Sequence, residues 1–400
     1  MSANARSKVH RRGFMGALSG AAWSAVSYRR VLGANSRIGL GLVGAGRRGT
    51  QVAAAFLEDK RVDLHCICDV YDLHCERATK SLSQNGAVPK TAAAHEDLLA
   101  MSDVDAVLIA APDHLHLTLA DAALRAGKHV YLEKPIIHRW EERKALETAA
   151  KRSGKVLQCG TQQRSGKHYI QAKEDIFSRK KLGHVVFARA VWSNFPWQQR
   201  HILPTPKPPG LDWKQFLGPA PQVPYDTARY DAWRYFPDYG GGVLADILTH
   251  WADVAQWMLD DPKPRSAVAL GGVYEYDDGR RNPDTVNAII QYDKWNLSFE
   301  SSVLPVRNDR PSVFFQGTEG ALDLARDGYI WQPNKAQAVQ IAATGSLERA
   351  HTENFLNAIL LGQPVSANLL SGIQACLPVQ MALKSYWSRR LVVVDEWESA

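Results

Sequence analysis

Cysteine is scarce. The 400-residue chain has only Cys66, Cys68, Cys75, Cys159 and Cys376, too few and too scattered for a zinc cluster or a disulfide framework. Beyond residue 34 no run reaches the roughly 18 consecutive apolar residues that a membrane span needs, so none is expected after the leader. Residues 1–34 lack acids altogether while holding Arg6, Lys8, Arg11, Arg12, Arg29 and Arg30. Without those six, 42 basic residues face 41 acidic ones, so the net charge of +7 marks an address rather than a nucleic-acid footprint. Internal repeats and low-complexity tracts are also missing. Hydrophobic residues at 45% and charged ones at 22% exclude a disordered, collagen-like or coiled-coil chain. A length of 400 residues fits two domains with full cores.

What is present begins with the leader. Arg11-Arg12 precede Gly13-Phe14-Met15 and a short, weakly apolar stretch to Val26. Residues 1–34 thus resemble a twin-arginine (Tat) export signal, which implies a periplasmic or secreted bacterial protein. The alternative is a tail that happens to carry two arginines, since His10 stands where such signals usually have Ser or Thr. No good Ala-x-Ala marks a cleavage point, which leaves open cleavage near Ala22, cleavage near Ala34 and retention as an uncleaved anchor. A Tat passenger folds before export, so a disulfide-free core holding a cofactor is compatible with that address.

Residues 35–157 read as a nucleotide-binding domain. The apolar strand Ile38 to Val43 runs into Gly44-Ala45-Gly46-Arg47-Arg48-Gly49, a helical pattern follows to Leu57, and a second strand from Val62 to Cys68 ends at Asp69. A GxGxxG between strand and helix with an acid about 20 residues on is much stronger evidence than the glycines alone. Gly44 permits the tight turn, Gly46 admits a pyrophosphate, Gly49 lets helix pack on strand, and the helix N-terminus supplies N–H donors. Asp69 is placed to hold a ribose 2′-hydroxyl and repel a 2′-phosphate, which favours NAD; Arg47 and Arg48 argue weakly for NADP.

Further strands at Val104 to Ala110, His129 to Leu132 and Lys155 to Cys159, with a helix from Thr118 to Arg125, predict a doubly wound parallel sheet. Its strand ends carry Ala111-Pro112-Asp113-His114-Leu115-His116, Glu133-Lys134-Pro135 and Gly160-Thr161-Gln162-Gln163-Arg164-Ser165. Residues 158–400 read as a second, α/β domain with a large open, mostly antiparallel sheet, built from alternating runs such as Val185 to Trp192, Ala288 to Tyr292 and Leu297 to Val303. The last helices are candidates to return to the first domain. The proline-dense segment 202–224 reads as a long loop over the second sheet. Seven of the twelve tryptophans fall between 192 and 295; aromatic faces beside Arg, Gln and Asn suit a sugar ring, although core packing explains many of them equally well.

After Tyr239-Gly-Gly-Gly242, the residues Asp246, His250 and Asp253 stand at i, i+4 and i+7 of a helical pattern. Three readings follow: a histidine base oriented by a carboxylate, a metal site made from the same three side chains, or a polar helix cap facing water. Lys134 and the nucleotide fold favour acid–base catalysis, and a metal site would need ligands to which nothing points.

Together the strand-GAGRRG-helix, the Ala-Pro-Asp-His-Leu-His loop, Glu133-Lys134-Pro135 and Asp246-x-x-x-His250 resemble the Gfo/Idh/MocA family of nucleotide-dependent sugar and cyclitol oxidoreductases, from about residue 37 to nearly the end. The leader and the Trp-rich second half resemble its secreted branch, with glucose-fructose oxidoreductase and NAD-dependent glycosidases. The resemblance implies Lys134 at the nicotinamide end of the site, Asp246 with His250 as an acid–base pair, and a homodimer or homotetramer. The cofactor set expected is Gly44, Ala45, Gly46, Arg47, Arg48, Gly49, Asp69, Pro112, His116, Glu133, Lys134 and Gln162. Arg164, Trp192, Asn194, Trp233 and Arg234 are the substrate candidates read from context. The expected substrate is a sugar or glycoside, with no nucleic acid and no metal.

Overall fold

Alternating apolar strands and amphipathic helices in the first half, and period-two runs in the second, build two sheets that share one continuous core. The computed structural model describes residues 37–84, 86–194, 202–305 and 310–395; the leader at residues 1–34 lies outside them. Six strands, β1 (Ile38–Val43), β2 (Val62–Cys68), β3 (Lys90–Ala92), β4 (Ala106–Ile109), β5 (His129–Leu132) and β6 (Leu157–Cys159), form the first sheet. It is parallel throughout, in the order β3-β2-β1-β4-β5-β6. β1 and β4 are buried at every position, as strands covered by helices on both faces must be. The order reverses between β1 and β4, which opens a crevice beyond their carboxyl ends.

The second sheet has nine strands: β7 (Val185–Val191), β8 (Ser266–Gly272), β9 (Thr285–Gln291), β10 (Asn296–Ser302), β11 (Ser312–Gly317), β12 (Gly320–Ala325), β13 (Gly328–Pro333), β14 (Val339–Ala342) and β15 (Val392–Val393). All its pairs are antiparallel except β7 with β10. β9 alternates buried and exposed residues, so one face packs inward and the other faces out. The inward face meets the helices Thr249–Leu259 and Leu369–Ser388, and the resulting core joins Phe299, Val313, Trp251 and Ile373 to Val107 and Leu132 of the first sheet. On that sheet's other side Phe355 and Leu356 of the helix Leu347–Leu361 pack with Phe56 and Tyr131.

The segment 202–224 does not lie over the second sheet. Leu211 bridges Tyr71 at the end of β2, and the Asp212 N–H donates to Val70 O at 2.7 Å. Phe216 and Leu217 need cover, and they find it among Tyr235, Phe236 and Tyr239 on the side of the first sheet. Among the described residues no helix is long and apolar enough to cross a membrane.

Candidate active site

The glycine turn is shaped by sterics. Gly44 has φ +89°, and a Cβ there would stand 2.7 Å from Ala110 C and Ala111 N. A Cβ on Gly49 would stand 1.9 Å from Gly44 O, so helix and turn touch backbone to backbone. A Cβ on Gly46 would meet nothing within 4 Å; it opens onto the crevice in front of the helix Arg47–Leu57, whose N-terminus has no side-chain cap and no acid in its first turn. A bare helix N-terminus facing open space beside glycine fits a dinucleotide pyrophosphate.

Asp69 closes the same turn. Its carboxylate accepts from the N–H groups of Ala45 at 2.7 Å and Tyr71 at 3.0 Å, which brings it level with the glycines from the end of β2. Arg47 is exposed. Arg48, however, points to the other side of the crevice, with Nε 2.8 Å from Glu133 and a terminal nitrogen 3.4 Å from Glu348. It is occupied as the counter-charge of buried Glu133, which removes it as a reader of a 2′-phosphate. Asp69→Ser should therefore weaken NADH at least about tenfold and narrow or reverse the margin over NADPH, because the repulsion and the ribose contacts go together. Titrating both nucleotides against both proteins checks this; an unchanged ratio assigns the ribose to another group.

His116 departs from the expectation of a cofactor contact. Its ring nitrogens lie 2.6 Å from Pro135 O and 2.9 Å from Ala111 O, and burial lowers its pKa. It ties the β4 loop, including half-buried Pro112, to the Lys134-Pro135 loop. Gln162 leaves β6 on a short turn with Nε2 3.4 Å from Glu348 and a buried Oε1 that has no partner.

The centre lies where β5 meets the triple glycine. Lys134 Nζ donates to Asp246 twice, to Oδ1 at 2.5 Å and to the backbone O at 2.7 Å. Arg234 Nε approaches the same Oδ1 at 3.4 Å, with its guanidinium 4.1 Å above the ring of Trp233. Burial alone would push the Asp246 carboxyl up, but Lys134 and Arg234 outweigh it and hold it well below the usual carboxylate range.

Asp246 is thus the partner of Lys134, and no hydrogen bond joins it to His250. The reason is local: Leu244–Leu248 form a π turn before the helix Thr249–Leu259, which breaks the i, i+4 register. His250 is buried, its Nδ1 lacks a partner among the described residues, and burial, aided by Lys134 and Arg326, lowers its pKa well below the ordinary value. An uncharged imidazole at neutral pH with an unclaimed nitrogen can accept a proton or hold a hydroxyl.

Asp253 goes elsewhere, and takes Arg164 with it. The Arg164 Nε donates to both of its carboxylate oxygens at 2.8 and 2.9 Å. A carboxylate only 1% exposed needs such a counter-charge, so Arg164 serves the fold instead of the substrate. Trp192 lies 5.9 Å from Trp251, beside His250. Asn194 sits at an exposed position past β7, its N–H on Ser302 O, and the structure does not bring it to Lys134. Among the described residues no group of three or more His, Cys, Asp or Glu side chains is placed to hold a metal.

Two further residues belong to the centre. Arg326 arrives from the second sheet without a sequence signal. Asp113, inside the loop after β4, was legible only as part of a motif; it is 6% exposed, with Oδ2 3.1 Å from where a Cβ on Gly240 would stand. Burial raises its pKa to about 7 against the pull of Arg234 and Lys134. A raised carboxyl stabilises the fold most below its unfolded value near 3.8, and that stability is lost as pH rises through about 7. Asp113→Asn should therefore flatten the fall in unfolding free energy across this window, a difference on the order of a few kcal/mol; parallel curves for parent and variant would place the titration elsewhere.

Comparison with known proteins agrees with this architecture. The profile of the oxidoreductase family with an NAD-binding Rossmann fold, GFO_IDH_MocA, matches residues 38–161, and that of the GFO/IDH/MocA C-terminal domain matches residues 215–323. Together they cover more than half of the chain, which belongs to this family and carries its NAD-binding Rossmann domain. A 1,5-anhydro-D-fructose reductase of Ensifer adhaerens is 30% identical over 255 residues, 62% of this chain and 64% of the relative. A glycosyl hydrolase family 109 protein of Shewanella amazonensis is 37% identical over 106 residues, 25% of this chain and 23% of that one. The chain thus matches less than two thirds of the length of each of these curated relatives. Among solved structures, levoglucosan dehydrogenase in complex with NADH and levoglucosan superposes with a TM-score of 0.70 at 20% identity, over 90% of this chain and all of that one, a likeness of fold.

Proposed function

We propose that the protein is an NAD-dependent oxidoreductase that interconverts a secondary hydroxyl and a ketone on a sugar, cyclitol or glycoside. The observation that carries this reading is the Lys134–Asp246–Arg234 cluster with buried His250 beside it, at the strand ends next to the glycine turn. Gly44 to Gly49 and Asp69 would hold the dinucleotide, and Gln162 and Glu133 lie on the same side. When bound, the nicotinamide supplies the hydride acceptor or donor.

The chain's own groups handle the proton and the charge. His250, kept uncharged by burial, takes the hydroxyl proton. Lys134 faces the developing alkoxide as a fixed positive charge in a site with little water, where such a charge is worth most. Asp246 sets the direction of the Lys134 ammonium through two contacts, and Arg234 keeps Asp246 from swinging away. Trp233 offers a ring face to the sugar. In this reading the leader is a Tat signal, supported by its sequence alone, and the exposed sheet face joins copies of the chain, supported by the apolar residues Leu270 and Ile289 that this face exposes.

A second reading is favoured by the stretch shared with the family 109 glycosyl hydrolase. It is a closed cycle in which C3 is oxidised, the aglycone eliminated across C1 and C2, water added and the ketone reduced. Incubating pure protein with NAD and a panel of sugars and glycosides, while following nucleotide absorbance, keto-sugar and released aglycone, tests both. NADH and keto-sugar rising together support the dehydrogenase; aglycone without net NADH supports the cycle. No change with any member overturns both.

A further inference from the structure

The centre holds a cation with no counter-ion. Arg326 occupies the turn between β12 and β13, and that turn is tied down on both sides: a His168 ring nitrogen lies 3.0 Å from Ala325 O, and Arg310 reaches Gly328 O at 3.2 Å and Asp327 at 3.3 Å. The Arg326 side chain lies over Trp192, its guanidinium carbon 4.7 Å from the ring centroid. Among the described residues it forms no ion pair and no hydrogen bond, and its Nε is buried without a partner. The neighbouring arginines differ in this respect: Glu133 and Glu348 engage Arg48, Asp253 engages Arg164, and Asp246 engages Arg234.

The position is central. The charge of Arg326 reaches both His250 and Asp246, and burial lowers its own pKa. The hydroxyl of Tyr169, buried and also without a partner, lies within the field of the same guanidinium. Lys134, Arg234, Arg48 and Arg326 face the three acids Asp246, Glu133 and Glu348, which leaves the crevice one positive charge in excess. Arg326 is half-buried with its Nε fully buried, and a partly desolvated guanidinium without a close anion is unfavourable unless a ligand brings one.

We propose that the substrate carries a carboxylate, which Arg326, braced on Trp192, and the Tyr169 hydroxyl receive: a sugar acid rather than a neutral sugar or cyclitol. This deepens the redox reading above and rests on it. The planar fork of a guanidinium matches a carboxylate in two parallel hydrogen bonds. One uncommitted cation fits one negative charge, whereas a phosphate dianion would require a second, and Lys134 and Arg234 are already held by Asp246. A neutral substrate would leave the guanidinium unmatched, a penalty that turns the arginine into a specificity determinant.

The test begins with the NADH-loaded protein and acetate as probe, with ionic strength held constant by sodium chloride. Acetate should raise the melting temperature of the parent, do so less in Arg326→Lys, and not do so in Arg326→Met, with NADH affinity alike in all three. Matched pairs follow: glucose with glucuronate, galactose with galacturonate. The acid should be preferred by at least about tenfold in kcat/KM, and Arg326→Met should erase that preference. An equal acetate response in parent and Arg326→Met overturns the proposal, as does a parent that prefers the neutral sugars, or an Arg326→Met variant that has lost NADH instead. An Arg326-dependent acetate response with no nucleotide change on any pair supports the anion site while removing the redox reading.

Discussion

Lys134→Met and His250→Asn should each bind NADH and melt near the parent while losing at least about a hundredfold in turnover. Both replacements keep approximate volume. Removing Lys134 does not strand Asp246, because Arg234 remains 3.4 Å from its Oδ1. The partition between the three residues is the sharper part. Asp246 touches Lys134 at 2.5 and 2.7 Å and makes no hydrogen bond to His250, so Asp246→Asn and Lys134→Met should be strongly non-additive, whereas Asp246→Asn and His250→Asn should come close to adding. The reverse pattern would restore Asp246 as the orienter of the imidazole. The pH profile gives a second readout. In the proposed role His250 is a base only when uncharged, and its pKa is lowered, so the acid limb of kcat/KM for alcohol oxidation should lie below the ordinary histidine value of 6.5 and vanish in His250→Asn. Near-normal turnover in that variant removes His250 from the mechanism and leaves Lys134 as the base.

Gly46→Val and Gly49→Ala, three residues apart, should fail in opposite ways. A Cβ on Gly49 would stand 1.9 Å from Gly44 O, with Leu42 Cδ1 at 3.2 Å; the helix must move off β1, and overpacking of this kind costs about 1–3 kcal/mol or more. Gly49→Ala should therefore melt lower without any nucleotide and lose NADH as a consequence. Gly46 has an extended backbone, φ −67° and ψ −175°, which valine adopts readily, and nothing within 4 Å of a Cβ. Its side chain would enter only the space given to the pyrophosphate. Gly46→Val should keep the parent's melting temperature yet bind NADH at least about tenfold more weakly. Thermal unfolding without nucleotide and a fluorescence titration separate the two, and a Gly46→Val protein that binds NADH as the parent does would move the dinucleotide away from this turn.

Much of the first domain was legible because its constraints are local. A buried parallel strand must be apolar throughout, a φ of +89° at Gly44 calls for glycine, and the Gly49 contact excludes any side chain. These leave their mark in the order of residues, as does an acid at the end of the next strand. Lys134 was legible for a related reason: it follows a strand whose carboxyl end faces the crevice. The tryptophans were ambiguous on their own, and they divide accordingly. Trp251 and Trp295 are core, at 0% and 5% exposure, while Trp233 and Trp192 carry the guanidinium groups of Arg234 and Arg326.

The sequence by itself determined a doubly wound nucleotide domain, a second sheet, and the roster of polar residues near their junction. Only the tertiary structure decided which of those residues pair. Helical spacing put Asp246, His250 and Asp253 on one face, but the π turn at Leu244–Leu248 redistributes them. Asp246 then finds Lys134 from 112 positions away, and Asp253 finds Arg164 from 89. Arg48 answers to Glu133 and Glu348, and Arg326 comes from the far sheet with its charge unanswered. The pairing of a buried charge is set by whatever the fold brings within a few ångströms once water is excluded, because there the attraction is strong and falls off with distance in space. Distance along the chain does not enter that energy, and so the pattern of residues could not record it.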